Sequence, residues 1–72
     1  MERTQVKSSS IRSVGYDPAA KILEVEFASG AIYRHHDVPP EIYVDLLSAE
    51  SVGKFYGANL RGKFQYAKAT NA

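Results

Sequence analysis

Residues 61–68 combine side chains that could bind an anionic ligand. They read Arg-Gly-Lys-Phe-Gln-Tyr-Ala-Lys, so cations alternate with two aromatic residues that share one side of an extended chain. Cations bind phosphates and exposed aromatic rings stack on unpaired bases, a combination common in proteins that bind single-stranded nucleic acids. The alternative is that Phe64 and Tyr66 pack on the core and the cations are solvated, because a small domain needs its aromatic residues for burial.

The distribution of charge also separates the last third of the chain from the rest. The formal net charge is +1, but residues 1–50 carry −3 and residues 51–72, which hold no acidic residue, carry +4. A basic segment after an acidic body favours an anionic partner. The residues predicted to bind nucleic acid are Arg34, Lys54, Arg61, Lys63, Lys68, Tyr33, His35, Phe64 and Tyr66.

Length and composition exclude several classes of protein. A chain of 72 residues is too short for a TIM barrel or a doubly wound dinucleotide fold. Because cysteine is absent, it has no disulfide, no thiolate nucleophile and no cysteine zinc site. No glycine-rich phosphate loop and no Ser/His/Asp arrangement occurs, so we expect neither catalysis nor a cofactor.

Two pairs of side chains have residue types that could bind a metal or perform acid–base chemistry. His35 and His36 are adjacent, so on a strand they point to opposite faces and we expect no metal site. Glu24 and Glu26 are predicted to lie on a solvated face of a sheet beside Arg34.

No membrane segment is predicted. No apolar run approaches the roughly 20 residues that cross a bilayer, and the polar N-terminus lacks the apolar stretch of a signal peptide. We therefore expect a cytoplasmic protein.

Alternating apolar residues predict three strands, at residues 9–16, 23–27 and 31–36. The second strand alternates Leu23, Val25 and Phe27 with two glutamates, as in a sheet with one buried face. A three-residue loop ending at a left-handed Gly30 would pair Val25 with Tyr33 and Leu23 with His35. This register keeps one face mostly apolar, whereas a two-residue loop would place a charge on it.

Two short helices follow the predicted strands. Pro39 and Pro40 suit the first turn of the first helix, whose apolar face is predicted to comprise Ile42, Tyr43, Leu46 and Leu47. Ser48 is the predicted N-cap of the second helix, whose apolar stripe is Val52, Phe55 and Tyr56.

The predicted fold is α+β: a three-stranded antiparallel meander packed against two short helices, with an extended C-terminal segment (βββαα). Residues 1–8 are predicted to be a flexible N-terminus, residues 9–67 a single domain and residues 68–72 a flexible tail.

Several segments of the chain together resemble the KTSC domain, a family found as small bacterial proteins and at the C-terminus of some lysyl-tRNA synthetases. The resemblance spans residues ~8 to ~67 and is carried by Val14-Gly15-Tyr16-Asp17-Pro18, Leu23-Glu24-Val25-Glu26-Phe27, Ser29-Gly30, Asp37-Val38-Pro39 and Leu60-Arg61-Gly62-Lys63-Phe64. The family's Tyr-x-Tyr motif reads Tyr33-Arg34-His35 here, so an imidazole replaces the second tyrosine.

The resemblance to a synthetase extension implies nucleic-acid binding, with RNA as the expected ligand. A second hypothesis is a protein–protein adaptor or a small homo-oligomer, since a thin domain with eight aromatic residues could leave an apolar patch or a free strand edge for another protein.

Overall fold

The computed structural model describes residues 3–69. The elements in chain order are β1 (Arg3–Gln5), β2 (Ile11–Asp17), β3 (Ile22–Phe27), β4 (Ile32–His35), α1 (Pro40–Ser48), α2 (Val52–Asn59) and β5 (Tyr66–Lys68). The strands form one antiparallel sheet in the order β1-β2-β3-β4-β5. The predicted α+β class is confirmed, but the sheet has five strands instead of three.

The two additional strands lie in or next to segments predicted to be flexible. β1 pairs with β2 although all three of its residues are exposed. Its Arg3 guanidinium lies 3.5 Å from Glu24 and 3.7 Å from Glu26 on the sheet, which helps to hold this polar edge in place. β5 returns after both helices to pair with β4 and includes Lys68, the first residue of the predicted tail. Residues 1–2 and 70–72 lie outside the described residues.

The hairpin of β3 and β4 has the predicted register. Val25 lies opposite Tyr33 and Leu23 opposite His35. The Gly30 amide donates to the Phe27 carbonyl at 2.9 Å. Gly30 has φ +98°, a backbone conformation that residues with a Cβ rarely adopt. The three-residue loop is therefore confirmed.

Gly30→Val is expected to destabilise the hairpin through the backbone alone, because a Cβ at Gly30 would meet no atom within 4 Å. Left-handed backbone costs a β-branched residue about 1–2 kcal/mol, or roughly 4–15 °C in melting temperature for a domain of this size. Ser29→Ala, one residue earlier, is the control and should change little. Equal melting temperatures for the two variants, measured by circular dichroism, would contradict this role of Gly30.

The helices differ from the prediction at their junction. Ser51, not Ser48, caps α2: its hydroxyl accepts from the Lys54 amide at 3.3 Å. Ser48 is the last residue of α1 and its hydroxyl donates to the Val44 carbonyl. The predicted apolar face of α1 is also narrower, because Leu46 is fully buried whereas Leu47 is 41% exposed.

The two faces of the sheet have different surroundings. One face packs against the helices, and its buried cluster comprises Ile11, Val14, Leu23, Val25, Val38, Leu46, Val52, Tyr56 and Leu60. The other face carries Glu24, Glu26 and Arg34, which the pairing of the strands places side by side. We call these the helix-covered face and the charged face. The side chains of β4 therefore point to two unlike environments, depending on their position in the strand.

Candidate functional site

A stacked pair of tyrosines lies at the edge of the helix-covered face. Tyr33 on β4 and Tyr66 on β5 have ring centroids 5.0 Å apart and planes inclined by 28°. Phe27 meets Tyr33 edge-on at 5.4 Å and supports it from β3. Tyr66 is 55% exposed. Because its neighbours Tyr33 and His35 both lie on β4, the opposite ring face turns toward the free edge of the sheet.

Three cations lie around the tyrosine pair. Arg61 and Tyr33 line a depression of about 380 Å³, and Lys63 and Tyr66 line a second one of about 540 Å³. Lys68 lies opposite Tyr33 in the pairing of β4 with β5 and so shares its face. Arg61, Lys63 and Lys68 are all exposed. Within the described residues, no carboxylate lines either depression. We call Tyr33, Tyr66, Arg61, Lys63 and Lys68 the tyrosine–cation surface.

The turn after α2 positions two of these cations. Leu60 is fully buried, and its carbonyl accepts from the Lys63 amide at 3.1 Å. The Arg61 amide donates to the Tyr56 carbonyl at 3.0 Å, and Gly62 has φ +75° between the two cations. Leu60 therefore anchors the turn, and Gly62 provides the left-handed residue that this path of the chain requires.

His35 supports the surface from beneath. Its side chain is 1% exposed, and Nε2 lies 2.8 Å from the Tyr56 hydroxyl. The ring centroid is 5.5 Å from that of Tyr66. A ring this deeply buried cannot stack on a ligand, so the predicted binding role of His35 is wrong. The His35 ring is part of the packing beneath Tyr66.

Burial controls the protonation of this pair. Removal from water is the main cause that lowers the pKa of His35, and nearby His36 lowers it further. The Phe64 backbone has the opposite effect, because it favours the charged ring. Burial also raises the pKa of Tyr56 to about 12. Both groups are consequently neutral near pH 7. Buried His35 Nδ1 has no hydrogen-bond partner within residues 3–69.

Three other predicted binding residues do not join the tyrosine–cation surface. Arg34 lies on the charged face, where its Nε donates to Glu24 at 2.8 Å. Lys54 is exposed on α2 between the buried residues Val52 and Tyr56, and a helix of 3.6 residues per turn places it on the side away from the core. Phe64 is partly buried against the core, as the alternative interpretation of residues 61–68 expected.

The charged face also differs from the prediction. Glu24 was predicted to be solvated, yet it is only 7% exposed because Arg34 and Arg3 contact its carboxylate from two sides. Ser13 donates to Glu26 at 2.8 Å. These contacts neutralise the acids within the sheet, which leaves few free charges on this face.

Sequence reasoning missed the supporting role of Tyr56 and Phe27. Tyr56 meets Phe27 edge-on at 5.3 Å and His35 at 5.3 Å, so it joins α2 to the strands beneath the surface. The helical spacing identified Tyr56 only as a core residue. No local pattern relates it to His35, which lies 21 residues earlier.

Within residues 3–69, no group of three or more His, Asp and Glu side chains is placed to hold a metal ion. In the same range, neither helix is long and apolar enough to cross a membrane.

The five-stranded antiparallel sheet with two helices on one face defines a small α+β domain. Residues 7–64 match the KTSC domain family, and the chain belongs to that family. The crystal structure of a KTSC domain protein from Yersinia pestis has the same fold, with a TM-score of 0.91 at 37% identity over 93% of this chain and 94% of that one. The resemblance identified from the sequence is confirmed.

The relatives include both small proteins and one kind of large enzyme. An uncharacterized protein of Stutzerimonas stutzeri is 55% identical over 56 residues, which cover 78% of this chain and 79% of that protein. A lysine–tRNA ligase of Nostoc punctiforme is 33% identical over 60 residues, which cover 83% of this chain but 11% of the ligase. The domain therefore occurs both as most of a small protein and as a minor part of a ligase.

Proposed function

We propose that this protein is a binding module, not an enzyme, and that it binds single-stranded nucleic acid, RNA in the first place. The observation that carries the proposal is the 55% exposure of Tyr66 in a ring stack surrounded by cations. A cytoplasmic location is part of the same proposal.

The physical argument rests on the two kinds of group in the tyrosine–cation surface. The free face of Tyr66 offers an apolar plane for an unpaired base, and the stack on Tyr33 keeps that plane fixed before binding. Preorganisation of this kind reduces the entropy lost on association. Arg61 and Lys63 lie in the adjoining depressions, where phosphates on either side of the base could reach them.

The relatives support RNA as the partner. Three of them are lysine–tRNA ligases, in which the matching segment forms 11% of the length. A domain joined to an enzyme named for tRNA lies close to an RNA. The tyrosine–cation surface would let this chain bind RNA by itself.

Binding of a fluorescently labelled, unstructured RNA decamer, followed by anisotropy, is expected to weaken with salt because each phosphate contact releases counterions. Tyr66→Ala should cost about 1–3 kcal/mol of binding free energy, the usual value of one stacked base. Tyr66→Phe keeps the ring and should retain most of the affinity. Lys63→Ala should weaken binding for every sequence tested.

Lys54→Ala is the matched control, because it removes an exposed cation of the same type from the far side of α2. Its affinity should stay close to that of the unaltered protein. No binding at low salt, an affinity independent of salt, or an equal loss in Lys54→Ala and Lys63→Ala would contradict the proposal.

A further inference from the structure

We infer that the tyrosine–cation surface accepts one unpaired nucleotide with its flanking phosphates, such as a strand end or a bulged base, and not a continuous strand. This inference rests on the proposed function and defines its ligand. It follows from the number of stacking planes, the position of the cations and the free edge of β5.

The surface offers one stacking plane. Tyr66 is the only exposed aromatic side chain among the described residues, since the others are buried or half-buried. One of its ring faces is covered by Tyr33, which leaves one face for one base. Proteins that follow a long single strand stack successive bases on several aromatic residues, and the described surface has no second exposed ring to continue the stack.

Outside the tyrosine–cation surface, the other three arginines are already engaged by carboxylates. On the charged face, three arginines contact two glutamates: Arg3 and Arg34 contact Glu24, and Arg3 and Arg12 contact Glu26. A strand leaving the tyrosine–cation surface around β5 would therefore meet arginines that already contact carboxylates. Three cations within the surface suit about two or three phosphates.

Within residues 3–69 no strand pairs with the outer edge of β5, which adds backbone groups beside the stacking plane. The Ala69 amide donates to the Ile32 carbonyl and the His36 amide donates to the Gln65 carbonyl, so residues 65 and 69 face β4. In an antiparallel ladder alternate residues face opposite ways, so the N–H and C=O groups of Tyr66 and Lys68 face away from the sheet. They provide two donors and two acceptors at the edge of a base held on Tyr66.

The test measures affinity against ligand length, with uridine oligonucleotides of one, two, three, six and ten residues competing against the labelled decamer. A longer oligonucleotide can bind one site at several overlapping positions along its length. Once the association constant is divided by the number of these positions, it should rise up to three nucleotides and then stay constant. The salt dependence should likewise stop increasing at three nucleotides. The logarithm of the association constant plotted against the logarithm of the salt concentration should then have a slope near −2, as expected for about three phosphates. Tyr66→Ala should weaken the trimer and the decamer by the same factor, about tenfold or more, whereas Lys54→Ala should weaken neither.

The outcomes separate the inference from the proposed function. Affinity per position that continues to rise from three to ten nucleotides would overturn the single-nucleotide site and leave nucleic-acid binding in place. No competition at any length, with no binding of the labelled decamer, would overturn both.

Discussion

Leu60→Ala is expected to lower the free energy of unfolding by about 2–5 kcal/mol, the range for truncating a buried leucine. A domain of 72 residues has only a few kcal/mol of stability, so this variant should be largely unfolded at 37 °C. The measurement is urea or thermal unfolding followed by circular dichroism.

Two properties of Leu60 make it more sensitive than most core positions. Its side chain is fully buried in the cluster between the sheet and α2. Its carbonyl also accepts from the Lys63 amide, which closes the turn that carries Arg61 and Lys63. Loss of the Leu60 side chain should therefore release the two cations from their places beside the tyrosines, so nucleic-acid binding is expected to fall with stability.

Leu47→Ala is the matched control, because it removes the same atoms from a leucine that is 41% exposed. Substitutions at such positions usually change stability by about 0.5 kcal/mol or less. Similar losses in the two variants would show that Leu60 has no special anchoring role, and a Leu60→Ala protein with full stability would contradict the packing described here.

The sequence allowed the central hairpin to be predicted in detail because several local signals agreed there. Leu23, Val25 and Phe27 alternate with glutamates, and Gly30 can adopt the left-handed conformation at the end of a three-residue loop. A shift by one residue would have placed a charge on the buried face, so the alternation and the glycine selected the same register.

The edge strands could not be predicted in this way, because β1 and β5 are held by contacts that leave no local pattern. β1 is polar at every position and is stabilised by backbone pairing and by the contacts of Arg3 with Glu24 and Glu26. β5 pairs with β4 only after two intervening helices. The N-cap of α2 was misplaced for a related reason: Ser48 and Ser51 are both acceptable caps, and the end of α1 decides between them.

The candidate site was predicted in part. Arg61, Lys63, Lys68 and Tyr66 come from a short segment whose composition singled it out. Arg34 lies outside the site, beside Glu24 on the face opposite to Tyr33, where the predicted register of the hairpin also places it. The register of the hairpin therefore separates Arg34 from Tyr33, although the two residues are adjacent in the sequence.

Acidification below pH 6.5 is expected to destabilise the protein through His35. Burial lowers the pKa of His35 in the folded protein, whereas in the unfolded chain a histidine titrates near pH ~6.5. Between these two pKa values the unfolded state binds more protons, so stability falls as the pH falls. Above pH ~6.5 both states are neutral and this contribution to stability is complete.

The limiting slope for one proton is about 1.4 kcal/mol per pH unit, which is large for a domain with a few kcal/mol of stability. The measurement is the free energy of unfolding in urea at pH 7.5, 6.5 and 5.5. This range stays above pH ~4, near which carboxyl groups in peptides titrate. The unaltered protein should lose stability chiefly between pH 6.5 and 5.5.

His35→Gln removes the titrating group, so its stability should be nearly independent of pH from 7.5 down to 5.5. Its amide can still hydrogen-bond to the Tyr56 hydroxyl, but the loss of the packed ring should lower its stability at pH 7.5. His36→Gln removes only the smallest cause of the lowered pKa of His35, so this variant should retain most of the pH dependence of the unaltered protein. A flat profile in the unaltered protein, or an equal slope in His35→Gln, would contradict the assignment to His35. Because Tyr66 packs on the His35 ring, protonation that disrupts the His35–Tyr56 pair should also weaken the support of the stacking plane.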